Sequence, residues 1–213
     1  MEDAGKNEPS HHDFVIKDGK FIGKFEEMYR VIEDPWHHGM AEALQYDIAL
    51  FLLKRNLSKK NLRILDIGCG KGAFTSRIKK ELGNSEILAV DVSPTAIEKA
   101  RKQFGSPSID FQAIDIVKDF DKITGTFDLI VVSQILWYVL PDFEELVKKL
   151  RGRLNRKGKI LVIQAFYPPE KQKYGKEIAS SVEDMVRLVG MKIVEMAETG
   201  RFSGHCAIVL FEE

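Results

Sequence analysis

A doubly wound α/β fold on a mostly parallel sheet is what the sequence predicts, and three observations predict it. From Leu62 onward, short apolar runs of strand length alternate with amphipathic stretches of helix length. The strand candidates are apolar along most of their length, as strands covered by helices on both faces must be. Near the end two apolar runs follow one another with no helical stretch between them, so they should pair as a hairpin and put one antiparallel strand into the sheet.

The strands are expected at Arg63 to Ile67, Ile87 to Asp91, Ile109 to Ala113, Phe127 to Val132 and Lys159 to Ala165. Helices should begin near Lys71, Pro94 and Asp142, with a short one over Val117 to Lys122. Pro94 suits a first helical turn, where a missing N–H costs nothing, and Ser93 supplies a capping oxygen. A further helix over Ala179 to Val189 leads into strands Met191 to Glu198 and Phe202 to Phe211, joined by a turn at Thr199-Gly200. Seven strands result.

Ahead of the sheet, residues 1–13 lack apolar periodicity and are expected to be a disordered tail, while residues 14–55 form a separate N-terminal segment and 56–213 the main domain. Asp18-Gly19, between Phe14-Val15-Ile16 and Lys20-Phe21-Ile22, tolerates the positive φ angles of a tight hairpin turn. Phe25 to Ile32 reads as helical, Pro35 ends that run, and Met40 to Arg55 carries apolar residues at helical spacing.

The 213 residues contain 32 Lys+Arg and 32 Asp+Glu, a formal charge of zero. Neither the basic surplus of a nucleic-acid binder nor the basic face of a membrane-surface protein is visible. The apolar runs are far shorter than the roughly 18–20 residues of a bilayer span. The polar start has no signal-peptide core, and the two cysteines, Cys69 and Cys206, lack zinc spacing. A reduced, cytoplasmic protein is expected.

The chemistry is concentrated in LDIGCGKGAFT, Leu65 to Thr75, where a strand gives way to a helix. Gly68, Gly70 and Gly72 allow a tight turn and a close approach of backbone to a ligand at a helix N-terminus. Gly68, Gly70 and Ala73 also satisfy the dinucleotide pattern, so an NAD-dependent oxidoreductase is an alternative. Asp66 argues against it: a carboxylate there repels a pyrophosphate and suits an ammonium or sulfonium group. Asp91, closing the second strand, can accept both hydroxyls of a ribose. Asp115 follows the third strand, placed to accept from an adenine amino group.

Together, Asp66-Ile67-Gly68-Cys69-Gly70-Lys71-Gly72, Asp91, Asp115-Ile116 and FDLIVVSQIL resemble the class I S-adenosylmethionine-dependent methyltransferases over Leu62 to Ile163. EDPW at Glu33 to Trp36, GAFT at Gly72 to Thr75 and FDLIVVSQILWYV at Phe127 to Val139 are similar to the nodulation-type N-methyltransferases, which act on an amino-sugar oligosaccharide. The resemblance implies a Rossmann-like methyltransferase fold with strand order 3-2-1-4-5-7-6 and the last strand antiparallel. It implies S-adenosylmethionine as cofactor, with S-adenosylhomocysteine as product. Gly68, Cys69, Gly70 and Gly72 would line its methionine end, Asp91 and Val92 the ribose, and Asp115 and Ile116 the adenine. Ser133 and Gln134 would face the sulfonium, and Tyr29 and Trp36 of the N-terminal segment would close over it as a lid. An aromatic face also suits a cation on physical grounds.

The expected reaction is methyl transfer to a small-molecule acceptor, first an amine such as an amino sugar, second a hydroxy or acidic compound. His37, His38, His205 and Tyr138 are candidate bases, although an adjacent histidine pair more often faces solvent. Trp137 and Tyr138 lie just past a strand's carboxyl end, where open sheets bind ligands, and are candidate acceptor-pocket residues, one of the two being expected in the core. No Asn/Asp-Pro-Pro-aromatic run follows the fourth strand, so nucleic acid is not the expected substrate; the basic run Lys148 to Lys159 reads as a solvated helix end. A monomer or homodimer without metal or membrane partner is expected. Outside enzymology, the alternative is a cofactor-binding scaffold.

Overall fold

The structure is a computed structural model describing residues 9–36, 43–58, 60–168, 170–172, 174–201 and 204–213. A small hairpin, β1 (Ile16–Lys17) and β2 (Lys20–Phe21), precedes helices α1 (Phe25–Val31) and α2 (Ala43–Asn56). The sheet then follows: β3 (Arg63–Ile67), α3 (Ala73–Leu82), β4 (Glu86–Asp91), α4 (Pro94–Phe104), β5 (Ile109–Ala113) and β6 (Phe127–Ser133). The chain continues through α5 (Leu136–Val139), α6 (Phe143–Arg151), β7 (Leu154–Phe166), α7 (Val182–Val189), β8 (Lys192–Arg201) and β9 (Gly204–Glu212).

The seven strands are ordered β5-β4-β3-β6-β7-β9-β8. Counted from β3 as the first, this is the expected 3-2-1-4-5-7-6. β9 runs antiparallel to both β7 and β8. Alternate side chains divide the core between the two faces. Leu65, Ile67, Ile130 and Val132 meet α5, α6 and α7 on one side, while Ile64, Leu129 and Val131 meet α2, α3 and α4 on the other. A period-2 strand buried on both faces produces this division.

Asp18 and Gly19 both take positive φ, 51° and 74°, so the first hairpin turns as its Asp-Gly dipeptide requires. Ser93 caps α4 by accepting from the Ala96 N–H, and Pro94 occupies the first turn. Four local expectations are corrected. The tail is ordered earlier than residue 14, because Asp13 accepts from the Ser10 N–H and closes a 3₁₀ turn over His11–Asp13. The helix over Val117 to Lys122 shrinks to a 3₁₀ turn at Phe120–Lys122, since the Asp115 carboxylate takes the Val117 and Lys118 N–H groups. Thr199 and Gly200 stay in β8, paired with Cys206 and His205; the ladder's hydrogen bonds outweigh local turn propensity. The connection falls at 202–203, outside the described residues, as do 40–42 at the expected start of α2. On α2 itself Leu44 and Phe51 are exposed, and Ala49, Leu50, Leu52 and Leu53 form its buried face.

Candidate functional site

The strands' carboxyl ends open into a cavity of about 660 Å³, bounded below by the glycine loop and above by the N-terminal segment. The loop is fastened to β4, with the Gly68 and Cys69 N–H groups both donating to the Val90 carbonyl, at 2.8 and 3.0 Å. Gly68 takes φ +73°, and a Cβ there would lie 2.2 Å from Ile135 Cγ2. No side chain fits without moving the chain that leaves β6.

Two carboxylates flank this loop. Asp66 is buried and accepts from Thr75 Oγ1 at 2.6 Å. Burial pushes its carboxyl up to about 6, the Thr75 bond opposing and the neighbouring Asp91 charge adding. Asp91 Oδ2 accepts from the Gly70 N–H at 2.9 Å and Oδ1 from the Ser93 N–H at 3.0 Å. Burial raises its carboxyl above the usual range, against the pull of these bonds. Each oxygen spends one lone pair on the backbone and keeps acceptor capacity toward the cavity. Asp115 is arranged differently: burial would raise it, but backbone and side-chain bonds from Lys118 and the Val117 N–H prevail and lower it. Its carboxylate thus serves its own turn and the Lys118 ammonium, 3.2 Å away. Ile116 and Val92 line the same end of the cavity, and the Cys69 thiol is raised by burial, which suits a filler and not a nucleophile.

The N-terminal segment lies over the loop through specific contacts. Glu26 of α1 accepts from Ser93 Oγ, from Thr95 Oγ1 and from the Thr95 N–H at the start of α4. Lys99 donates to the Tyr29 carbonyl and to Glu33, both at 3.0 Å, and Lys71 of the glycine loop reaches the Glu33 carbonyl at 2.6 Å. Tyr29 is thereby held with its hydroxyl 2.9 Å from where a Gly70 Cβ would stand. That hydroxyl accepts from Trp36 Nε1 at 2.9 Å.

On the other side of the cavity, Tyr138 packs against Phe25, Trp36 and Phe21, at 5.0, 5.9 and 6.3 Å between ring centroids. Burial pushes its phenol well above the usual range, so Tyr138 retains its proton and does not suit the base role. Trp137 is the core member of the pair, with Nε1 donating to the Ala165 carbonyl at 3.1 Å and its ring edge-on to Phe166. Ser133 is buried at the end of β6 and lines the cavity. Gln134 takes a left-handed φ of 58° and turns its amide toward β7 and β9, accepting from the Ala165 N–H and donating to Cys206 Sγ. Its amide therefore fastens strand ends together, although the residue still borders the cavity.

The structure brings together Tyr29, Trp36, Asp66, Gly68, Cys69, Gly70, Asp91, Val92, Asp115, Ile116, Ser133, Gln134, Trp137 and Tyr138 around one cavity. Gly72 lies behind it, opening α3 with φ +81° against Phe111. His37 and His38 lie outside the described residues. Sequence reasoning missed Glu26, whose partners are 67 and 69 positions away, and Gln164, whose buried amide accepts from the Leu136 N–H. It also missed Phe21, at the end of β2, and Phe25, which opens α1.

Residues 65–160 match a family described as a methyltransferase domain. Among curated proteins, a malonyl-[acyl-carrier protein] O-methyltransferase from Ilyobacter polytropus is 36% identical over 106 residues, 48% of this chain and 38% of that protein. A ribosomal RNA small subunit methyltransferase C from Haemophilus influenzae is 30% identical over 145 residues, 61% of this chain and 41% of that protein. The chain thus spans about two fifths of the length of these relatives. Among solved structures, the N-methyltransferase NodS from Bradyrhizobium japonicum WM9, in complex with S-adenosylhomocysteine, superposes with a TM-score of 0.72 at 20% identity, covering 92% of this chain and 99% of that one. Magnesium protoporphyrin IX methyltransferase from Synechocystis PCC 6803 gives 0.68 at 14% identity, covering 89% and 97%. The sheet with its antiparallel β9 and the glycine loop between two acidic strand ends give this chain the fold of the solved S-adenosylmethionine-dependent methyltransferases, and residues 65–160 within it match a methyltransferase domain.

Proposed function

We propose that the chain transfers the methyl group of S-adenosylmethionine to a small-molecule amine, an amino sugar being the first choice. One observation carries the reading: two carboxylates, the buried Asp66 and the half-buried Asp91, flank a glycine loop at one end of a cavity whose opposite wall is aromatic. The residues fit the cofactor. Asp91 keeps acceptor capacity for ribose hydroxyls, Asp66 supplies negative charge near the methionine end, and the loop presents bare backbone. Val92 would border the ribose and Ile116 the adenine, and Tyr29 and Trp36 would cover the sulfonium region. When bound, the cofactor supplies an electrophilic methyl group already activated by positive charge.

The chain's own contribution is alignment and exclusion of water. Phe21, Phe25, Trp36 and Tyr138 give the acceptor an aromatic wall, which suits an amine. The zero net charge supports a small acceptor over a nucleic acid. Methylation of a hydroxy or acidic compound is the second reading, supported by likeness to a malonyl-[acyl-carrier protein] O-methyltransferase.

Separate calorimetric titrations with S-adenosylhomocysteine and NAD test the cofactor. Binding of S-adenosylhomocysteine is expected, and binding of NAD alone would overturn the reading. Methyl transfer to glucosamine, compared with catechol and malonate, tests the acceptor.

A further inference from the structure

Among the described residues, His205 is the one candidate histidine base, and it lines the cavity. It stands on β9 opposite Phe166 of β7. Its ring stacks on Phe166 at 5.6 Å, and Phe166 receives Trp137 edge-on at 5.6 Å from its other neighbour, α5. The imidazole thus stacks on a Phe166 ring that Trp137 in turn supports. Gly204 beside it has no room for a side chain, since a Cβ would lie 2.3 Å from the Phe166 carbonyl oxygen. The Gln134 amide ties the end of β6 to Ala165 and Cys206, the positions adjoining Phe166 and His205. The imidazole is therefore held in register with the strand end that carries Ser133.

Among the described residues, two carboxylates are recorded against the ring. Glu198 of β8 places Oε2 3.8 Å from His205 Nε2, and Glu183 at the start of α7 interacts with it electrostatically. Tyr167, at the exit of β7, also borders this side. His205 also borders a second cavity of about 450 Å³, open to solvent, which shares Tyr167, Gly204 and His205 with the main one.

We propose that His205 is the proton acceptor for the amine acceptor, with Glu198 as its positioning partner and the second cavity as the proton's way out; this rests on the methyltransferase reading above. An acceptor R–NH₃⁺ gives one proton to the imidazole and becomes R–NH₂, whose lone pair can attack. The N–C bond forms as the C–S bond breaks, and the electron pair of that bond stays on sulfur. The product is R–NH₂–CH₃⁺, and the imidazolium releases its proton to water through the second cavity. Charge and protons balance without a further reactant.

The test uses the full chain, with glucosamine as the probe amine. His205→Gln should lower kcat about a hundredfold, the scale of a lost general base. Its dissociation constant for S-adenosylhomocysteine should stay at the wild-type value. Added imidazole should restore part of the rate to His205→Ala, which a merely structural role would not allow. Glu198→Gln, on an exposed edge strand where the fold tolerates it, should lower kcat three- to tenfold. An unchanged kcat in His205→Gln overturns the proposal. If the wild type does not methylate glucosamine, the His205 ring resonance decides in protein saturated with S-adenosylhomocysteine. A shift on adding glucosamine supports the role, and an unmoved resonance overturns it. Failure of S-adenosylhomocysteine to bind the wild type overturns the methyltransferase reading itself, and this proposal with it.

Discussion

The Glu26 carboxylate accepts a hydrogen bond from Ser93 Oγ at 2.6 Å, joining α1 to the start of α4 across 67 positions of sequence. Ser93 in turn donates its N–H to Asp91, and Asp91 accepts from Gly70. One chain of hydrogen bonds therefore runs from the N-terminal segment to the glycine loop.

Breaking this link should loosen the covering segment. Burial alone would raise the Glu26 carboxyl, but bonds from Ser93 and Thr95, with the Arg30 charge, bring it from 4.5 to about 2. Its contribution to stability is therefore fully present above about pH 4.5 and is lost as the pH falls toward 2. Glu26→Gln should cost about 1–2 kcal/mol at pH 7, the worth of charge-assisted bonds at a helix start. It should also speed both association and dissociation of S-adenosylhomocysteine, measured by stopped flow. Loss of stability with no faster association would make Glu26 only a fold contact.

Asp66 carries the opposite sign. Its carboxyl moves from 3.8 up to about 6, so between those values the folded chain holds a proton that the unfolded chain has released. Stability falls as the pH rises through that window. Ligand-free Asp66→Asn should therefore melt roughly 2–4 °C above wild type at pH 7.5, with the gain vanishing near pH 4. Affinity for S-adenosylmethionine should drop about tenfold in the variant, and in the wild type it should strengthen as the pH rises through 6. Thermal melts and calorimetry across pH 4–8 measure both.

Gly68 and Ile135 share one space. Gly68→Ala should destabilise the fold by about 2–3 kcal/mol, through the collision with Ile135 Cγ2 and the strained φ of +73°. Adding Ile135→Ala should recover part of this loss, since it removes the colliding methyl but leaves the backbone strain. Denaturant unfolding of the two single variants and the double variant gives the coupling. Strict additivity would show that the close approach is not the cause.

The strand cores were legible because burial on both faces demands continuous apolar runs, and Arg63–Ile67 and Ile109–Ala113 stand where the sequence puts them. The glycine loop and Asp91 were legible because the residues of a strand-to-helix turn are neighbours in sequence. Gln134 and Asp115 both line the cavity, but the partners of their side chains, Ala165 and Cys206 in one case and Val117 and Lys118 in the other, were not legible in the sequence. Polar side chains choose among partners that only folding supplies.

By itself the sequence determined the strand order's raw material, the acidic glycine loop and the aromatic character of the covering segment, all encoded over a few consecutive residues. The tertiary structure decided which groups meet: Glu26 with Ser93, His205 with Glu198 and Phe166, Tyr29 with Gly70. The reason is geometric. Local propensity and periodicity act over a few residues, while hydrogen bonds and ring contacts of 3–6 Å depend on chain segments brought together by burial of the core.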